Sequence, residues 1–249
     1  MTPAGIYPVL YAFWTEEGGL DEAAMRAQVE HCIAQGADGI CVLGLVTEVH
    51  KMDVRERLAC VEMVGTLIGG RVPYAVTVAE PSIPGQIGFA RAAAAAGALI
   101  ELNRAHPNIA ILKGEGWSVD IARVIEGSGG AYAVMGGHGG IEFPALLRSG
   151  GAGLIPAPDF LPAHVAMWRA WQAGEHARAE AIHRAILPAI VFMSRSVPGM
   201  LCYGKRLMAE TLGLPEPVDR APALPPTPFG LAEMRRHLGE IAAAPGADA

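Results

Sequence analysis

The sequence predicts one α/β chain folded as a (β/α)8 barrel that is incomplete around strands 4–5 and carries a C-terminal helical extension. Three observations support this. The length of 249 residues is that of one such barrel. Hydrophobic residues make up 51% of the chain, enough for one large core. Short apolar runs alternate with amphipathic helical patterns, which is typical of a parallel sheet buried on both faces.

The first half contains three strand–helix units. Ile6–Phe13 is a continuous apolar strand pattern, and the helix after it has an acidic first turn and ends before Gly36. Asp53 is predicted to cap the second helix, which closes at Gly69 and Gly70. The predicted elements are strands at Ile6–Phe13, Gly39–Leu45 and Pro73–Val78 and helices at Asp21–Gln35, Asp53–Ile68 and Ile83–Ala96.

The second half repeats the alternation and then changes to helices alone. The strands expected there are Ile109–Lys113, Ala131–Met135 and Gly153–Pro156, with helices at Val119–Ile125 and Ile141–Ser149 between them. The helices expected afterwards are Pro162–Gly174, Glu175–Met193, Gly199–Leu212 and Leu231–Ala243. We therefore divide the chain into a barrel at residues 1–160, a helical bundle at 161–214, and a Pro-rich connector with a terminal helix at 215–249.

One stretch breaks the alternation. Ala98–Ile100 begins like a fourth strand but runs directly into Glu101–His106, which resembles the end of a helix. Six strands are well supported, or seven with this stub, whereas each βαβ unit needs roughly 30 residues. The sequence therefore predicts an internal deletion near position 100/101.

Composition argues against several classes of protein. The formal net charge is −6, without a block of like charge, so a basic stripe for nucleic acid is absent from the sequence. The four scattered cysteines form no Cys-x-x-Cys pair, and no apolar run is long enough for a transmembrane helix. The first five residues lack a basic segment leading into an apolar one, so a cytoplasmic protein is expected. Charged residues are only 18% of the chain, which favours self-association.

Lys113 is the first candidate for chemistry. The chain has three lysines against sixteen arginines, and this one ends an apolar strand pattern. In a barrel the carboxyl ends of the strands form the active-site mouth, where desolvation lowers a lysine pKa and frees the amine to attack a carbonyl. A lysine that simply reaches solvent from a strand end explains the same pattern, and the pattern alone favours that interpretation.

Two glycine-containing loops are further candidates. Gly44–Glu48 follows the second strand, where exposed backbone N–H groups suit a small carboxylate, although an ordinary turn is the preferred interpretation of the pattern alone. Gly136–Gly140 is a flexible rim rather than a phosphate loop, because it lacks the lysine and spacing of nucleotide-binding motifs. A metal-dependent aldolase site, with His138 joined by His50 or Glu48, is a weaker alternative.

The order of several motifs resembles the dihydrodipicolinate synthase / N-acetylneuraminate lyase family. The similarity extends from about Gly5 to Leu214. Each motif alone is moderately specific, and their combination is specific. The segments that carry the resemblance are Tyr7–Phe13 with Gly18–Asp21, Gly36–Ile40, Gly44–Glu48 with Glu56 and Arg57, Pro107–Lys113, Gly150–Ile155, and the pair Gly174 and Glu175.

The resemblance implies a lyase or aldolase that binds pyruvate or a related 2-oxo acid through a lysine Schiff base. By position, Lys113 corresponds to the imine lysine. Gly44, Leu45, Val46 and Thr47 correspond to the carboxylate-binding loop, and Ile155 lines the pocket through its backbone. The implied assembly is a homo-oligomer, a tetramer or a dimer. No metal or organic cofactor is required, because the protonated imine is itself the electron sink.

The chain departs from the family at two places. Leu45 and Val46 stand where the family usually has hydroxyl residues, and the segment that would carry the family's catalytic tyrosine is missing. Loss of that phenol corresponds to roughly 10²–10⁴-fold in rate. A catalytically impaired member, which binds a keto acid or only assembles, is therefore the second hypothesis.

Overall fold

The computed structural model describes residues 3–77, 111–130 and 132–242. The predicted helix at Ile83–Ala96, the stub at Ala98–Ile100 and the deletion at 100/101 lie outside these residues. The described strands are β1 Gly5–Ile6, β2 Ile40–Val42, β3 Tyr74–Val76, β4 Ile111–Gly114, β5 Ala133–Gly136 and β6 Gly153–Leu154. The described helices are α1 Glu22–Ala34, α2 Val54–Ile68, α3 Ser118–Ser128, α4 Phe143–Arg148, α5 Leu161–Gln172, α6 His176–Met193, α7 Val197–Leu212 and α8 Pro228–Ala242.

The six described strands form one parallel arc. Ladders join β1 to β6, β6 to β5 and β5 to β4, and a separate ladder joins β2 to β3. A parallel bridge between Val9 and Cys41 connects the two groups. The order along the arc is therefore β3-β2-β1-β6-β5-β4. Over the described residues the barrel is not closed, and its two ends, β3 and β4, flank residues 78–110.

Strand β1 is shorter than predicted, because its backbone makes unusual contacts. Pro8 has no N–H group to donate, although its carbonyl accepts from Cys41 at 2.9 Å, while Tyr7 and Val9 on either side of it donate to Leu154 and Pro156. Three residues later the buried side chain of Gln28 bonds both the N–H and the carbonyl of Tyr11, at 2.9 and 3.0 Å. A side chain thus takes the place of a neighbouring strand.

The first two helices begin where the sequence predicts. Asp21 caps α1 by accepting from the N–H of Ala24, and Asp53 with Glu56 forms a reciprocal capping box at the start of α2. Helix α2 ends at Gly69, whose φ of 58° is in the left-handed region. These caps fix the lengths of the helices that connect β1, β2 and β3.

The C-terminal helices pack on one another and on the strands. Helix α6 packs against α5 and α8, and α5 contacts β1. Helix α7 contains one π-helical turn, Met200–Gly204. Among the described helices none can cross a membrane alone; α6 and α7, bent by 104°, meet the length and composition criterion only as a pair.

Candidate active site

A cavity of about 300 Å³ lies at the carboxyl ends of the strands. Each lining segment follows a strand: Val9 after β1, Leu45 and Val46 after β2, Glu115 after β4, His138 after β5 and Ile155 after β6. Residues 194–197 and Met200, at the start of α7, close the opposite side. The parallel arc thus brings together side chains that lie far apart in sequence, as expected at this end of a (β/α) barrel.

Lys113 lies in the wall of this cavity, one residue before the end of β4, where it pairs with Met135 of β5. Its Nζ is 2.6 Å from Oε1 of Glu115, and its side chain is 30% exposed. The sequence predicts a desolvated amine, whereas the described residues leave the Lys113 side chain partly exposed to solvent. An amine paired with a carboxylate must give up a proton before it can attack a carbonyl, and the carboxylate is in place to take it.

Cys41, at the centre of β2, is a further neighbour of Lys113. Burial raises the pKa of the Cys41 thiol, and the charge of Lys113 and a contact with Thr77, at 3.8 Å between Sγ and Oγ1, partly offset this. The thiol therefore stays protonated near neutral pH and acts as a packing group beside the amine.

The loop after β2 contributes Leu45 and Val46 to the lining of the cavity. Among the described residues no group accepts from the N–H of Leu45 or Val46. The turn is tight: Leu43 has a φ of 61°, and the carbonyl of Leu45 accepts from Glu48. Two successive free N–H groups suit a carboxylate oxygen pair.

The remaining predicted site residues are placed differently. Gly44 and Thr47 belong to the same loop but do not line the cavity. A Cβ at Gly44 would lie 2.8 Å from Cγ1 of Val9, so glycine is needed there for packing. The buried Thr47 hydroxyl donates to the carbonyl of Leu10 at 2.7 Å, so its proton is not available to a substrate. Ile155 lines the cavity, and its N–H donates to Gly136 at 2.8 Å.

The buried Glu48 anchors the loop to the far end of the chain. Its carboxylate contacts the buried Lys205 of α7, lies 2.6 Å from Nζ of Lys51, and accepts from Nε1 of Trp14 at 3.2 Å. Burial raises the pKa of Glu48, but the two lysines outweigh it and the net shift is downward. Glu48 is therefore ionised and structural.

The three residues of the metal alternative do not meet. Glu48, His50, Lys51 and Lys205 line a second cavity of about 360 Å³, whereas His138 lines the cavity that holds Lys113. Within the described ranges no group of three or more His, Cys, Asp or Glu side chains is placed to hold a metal ion.

Two residues of the Lys113 cavity were missed by the sequence reasoning, Glu115 and Arg195. Glu115 had a usable signal, a carboxylate two residues after a lysine at a strand end. Arg195 had none, because it follows a helix that is distant in sequence and reaches the cavity only through the fold.

Residues 2–103 match the model of the Dihydrodipicolinate synthetase family. The chain is 35% identical over 95 residues to the probable 2-dehydro-3-deoxy-D-pentonate aldolase YjhH of Escherichia coli (strain K12). This match covers 38% of this chain and 32% of that protein. It is 32% identical over 78 residues to the L-2-keto-3-deoxyarabonate dehydratase of Azospirillum brasilense, and this match covers 31% of this chain and 25% of that protein. The chain thus matches about a third or less of the length of these relatives.

Solved structures extend the likeness to the fold of nearly the whole chain. The dihydrodipicolinate synthase of Rhodopseudomonas palustris superposes with a TM-score of 0.83 at 17% identity, over 96% of this chain and 98% of that one. YagE, a prophage protein of Escherichia coli K12 solved in complex with pyruvate, superposes with a TM-score of 0.83 at 20% identity, over 96% of this chain and 98% of that one. These likenesses confirm the predicted barrel fold. The match of residues 2–103 to the family model and the shared fold confirm the resemblance inferred from the motifs.

Proposed function

We propose that the chain is a lyase that binds pyruvate or a related 2-oxo acid as a Schiff base on Lys113. The observation that carries the proposal is the shared cavity, which is lined by Lys113 and by Leu45 and Val46, whose N–H groups have no acceptor among the described residues. An amine and an anion site in one cavity are what a 2-oxo acid requires, because its carbonyl and carboxylate are adjacent.

The two curated relatives narrow the substrate class. By name, both act on five-carbon 3-deoxy sugar acids with a 2-oxo group, one as an aldolase and the other as a dehydratase. We propose the same class for this chain, with carbon–carbon cleavage or loss of water as the reaction. Arg195 and His138 at the cavity wall supply polar groups for hydroxyls beyond the keto acid.

Borohydride trapping tests the covalent step. Incubation with pyruvate and borohydride is expected to add one reduced pyruvate to the peptide that contains Lys113, measured by mass spectrometry. Lys113→Ala removes the amine and should abolish the label. Lys51 and Lys205, which are held by Glu48, serve as internal controls and should stay unlabelled. Equal labelling of the Lys113→Ala protein would contradict the proposal.

The impaired-member hypothesis is the second candidate, and a specific observation favours it. All five tyrosines of the chain lie in the described residues, and none of them lines the cavity. Turnover assays with 3-deoxy-2-oxo pentonates separate the two hypotheses. Trapping without turnover supports the impaired member, and turnover that is lost in Lys113→Ala supports the lyase.

A further inference from the structure

Schiff-base chemistry needs a group that moves protons beside the lysine. Forming an imine requires protonation of the departing hydroxyl, and forming an enamine requires removal of a proton from the neighbouring carbon. Four residues with ionisable side chains line the cavity among the described residues: Lys113, Glu115, His138 and Arg195. Arginine does not release its proton in proteins, so Glu115 and His138 are the two candidates.

The tyrosines cannot supply this group, because they are committed elsewhere or lie outside the cavity. Tyr11 is fully buried and donates to Oδ2 of Asp159 at 2.9 Å. Tyr74 donates to the carbonyl of Val61 at 3.1 Å, and the hydroxyl of Tyr203 contacts Thr227. Tyr7 and Tyr132 do not line the cavity.

Glu115 is the better placed of the two candidates. Its Oε1 is 2.6 Å from Nζ of Lys113, which is hydrogen-bond distance to the reacting atom. Its side chain also packs on the backbone of the next strand's loop, since a Cβ at Gly137 would lie 2.3 Å from Cγ of Glu115. The Glu115 side chain, which is 38% exposed, is thus bounded by the reacting amine on one side and by Gly137 on the other.

We propose that Glu115 is the general acid and base of the reaction at Lys113, an assignment that rests on the proposed function. The carboxylate takes one proton from the Lys113 ammonium, and the neutral amine attacks C2 of the 2-oxo acid. The carbinolamine forms as a proton passes from nitrogen to oxygen. Glu115 then returns its proton to the hydroxyl, which leaves as water, and the C–N bond becomes the iminium.

The regenerated carboxylate is then next to the iminium. It takes a proton from C3, and the electron pair of that C–H bond forms the enamine double bond while the iminium becomes a neutral amine nitrogen. In the first stage the Lys113 ammonium and the C2 ketone give an iminium and water. In the second stage the iminium and the Glu115 carboxylate give an enamine and a carboxylic acid. No oxidant, metal or further reactant is consumed.

Two measurements on the full chain separate this inference from the proposed function. Borohydride trapping reports the imine, and exchange of the pyruvate methyl hydrogens in D₂O, followed by NMR, reports removal of the C3 proton. In Glu115→Gln we expect trapping to reach the wild-type extent after long incubation, with exchange slowed by about 10²–10⁴-fold. Glu115→Asp should recover part of the exchange rate. Glu126→Gln, on the exposed side of α3, is the matched control and should exchange like the wild type.

A second variant tests the position of the carboxylate without removing it. Gly137→Ala places a methyl group against Cγ of Glu115 and should slow exchange while trapping persists. Wild-type exchange in Glu115→Gln would overturn the inference and leave the Schiff base intact. Loss of trapping together with exchange would also overturn it, because Glu115 would then position Lys113 rather than move protons. A wild-type chain that traps nothing would overturn the proposed function itself.

Discussion

At the scale of single residues, Lys113 shows what a sequence can and cannot say about a site. Its scarcity and its place at a strand end made it a candidate, the family resemblance selected it, and the structure places it in a cavity with Leu45, Val46 and Ile155. The carboxylate partner Glu115 was missed although its spacing of two residues from Lys113 was visible, whereas Arg195 could not be found because it reaches the cavity only through the fold. The exposure of 30% likewise depends on the walls of the cavity, which come from other segments.

Asp159 provides a residue-scale prediction about pH. Burial raises the pKa of this carboxyl from 3.8 to about 7, although the hydrogen bond from Tyr11 opposes the rise. Between those two pH values the folded chain holds a proton that the unfolded chain has lost. The free energy of unfolding therefore falls by about 1.4 kcal/mol per pH unit as pH rises through this window.

The variant Asp159→Asn removes this titration. Its free energy of unfolding relative to wild type should increase from pH 5 to pH 7 by about 1.4 kcal/mol per unit, measured by urea denaturation at each pH. Contributions from other titrating groups cancel in the difference. A constant difference across the range would contradict the prediction.

At the scale of elements, the kinds and order of helices and strands followed from periodicity, whereas strand ends depended on local backbone geometry. Strand β2 was expected over Gly39–Leu45 but covers Ile40–Val42, because Leu43 turns into the left-handed region with a φ of 61°. Strand β1 was expected over Ile6–Phe13 but covers Gly5–Ile6, and Pro8, which has no N–H group, lies just beyond its end. Helix α8 starts at Pro228, three residues before the predicted Leu231. Hydrophobic periodicity carries no information about such endings.

The ion cluster around Glu48 gives an element-scale prediction, because it joins the loop after β2 to α7. Glu48 and Lys205 are both 1% exposed and Lys51 is 6% exposed. In Glu48→Gln two buried lysines lose their counter-charge, so the free energy of unfolding should fall by about 3–5 kcal/mol. Glu22→Gln, in the exposed pair with Arg26, is the matched control and should change the free energy of unfolding by less than about 1 kcal/mol.

Urea denaturation at pH 7 measures both variants. Because the pKa of Glu48 is lowered in the folded chain, the stability that this cluster gives is present above the ordinary carboxyl pKa of 4.5 and is lost as the pH falls below it. A Glu48→Gln midpoint equal to that of wild type would show that the cluster contributes nothing to stability.

At the scale of the whole molecule, the arc of six described strands and the surface near β4 predict self-association. Apolar side chains are exposed at this end of the arc: Trp117 at 62%, Val119 at 43%, Val124 at 40% and Leu112 at 38%. Apolar surface of this kind favours contact with another copy. One chain has a mass of 26.0 kDa, and we expect the purified protein to elute as a dimer or a larger oligomer. Its melting temperature should rise with protein concentration.

Size-exclusion chromatography with light scattering measures the assembly directly. Trp117→Ser, which removes the most exposed of these four side chains, should shift the equilibrium toward the monomer. A wild-type chain that is monomeric at all concentrations, with a melting temperature independent of concentration, would contradict the prediction. Aggregation in place of a defined oligomer would mean that the apolar surface lacks a specific partner.

The contact between Glu48 and Lys205 spans 157 positions of the chain, and this separation has a consequence for biosynthesis. A nascent chain that has not yet released α7 from the ribosome has no Lys205 to meet the carboxylate. The buried ion cluster that anchors the loop after β2 can therefore form only late in synthesis, once residue 205 of 249 has emerged.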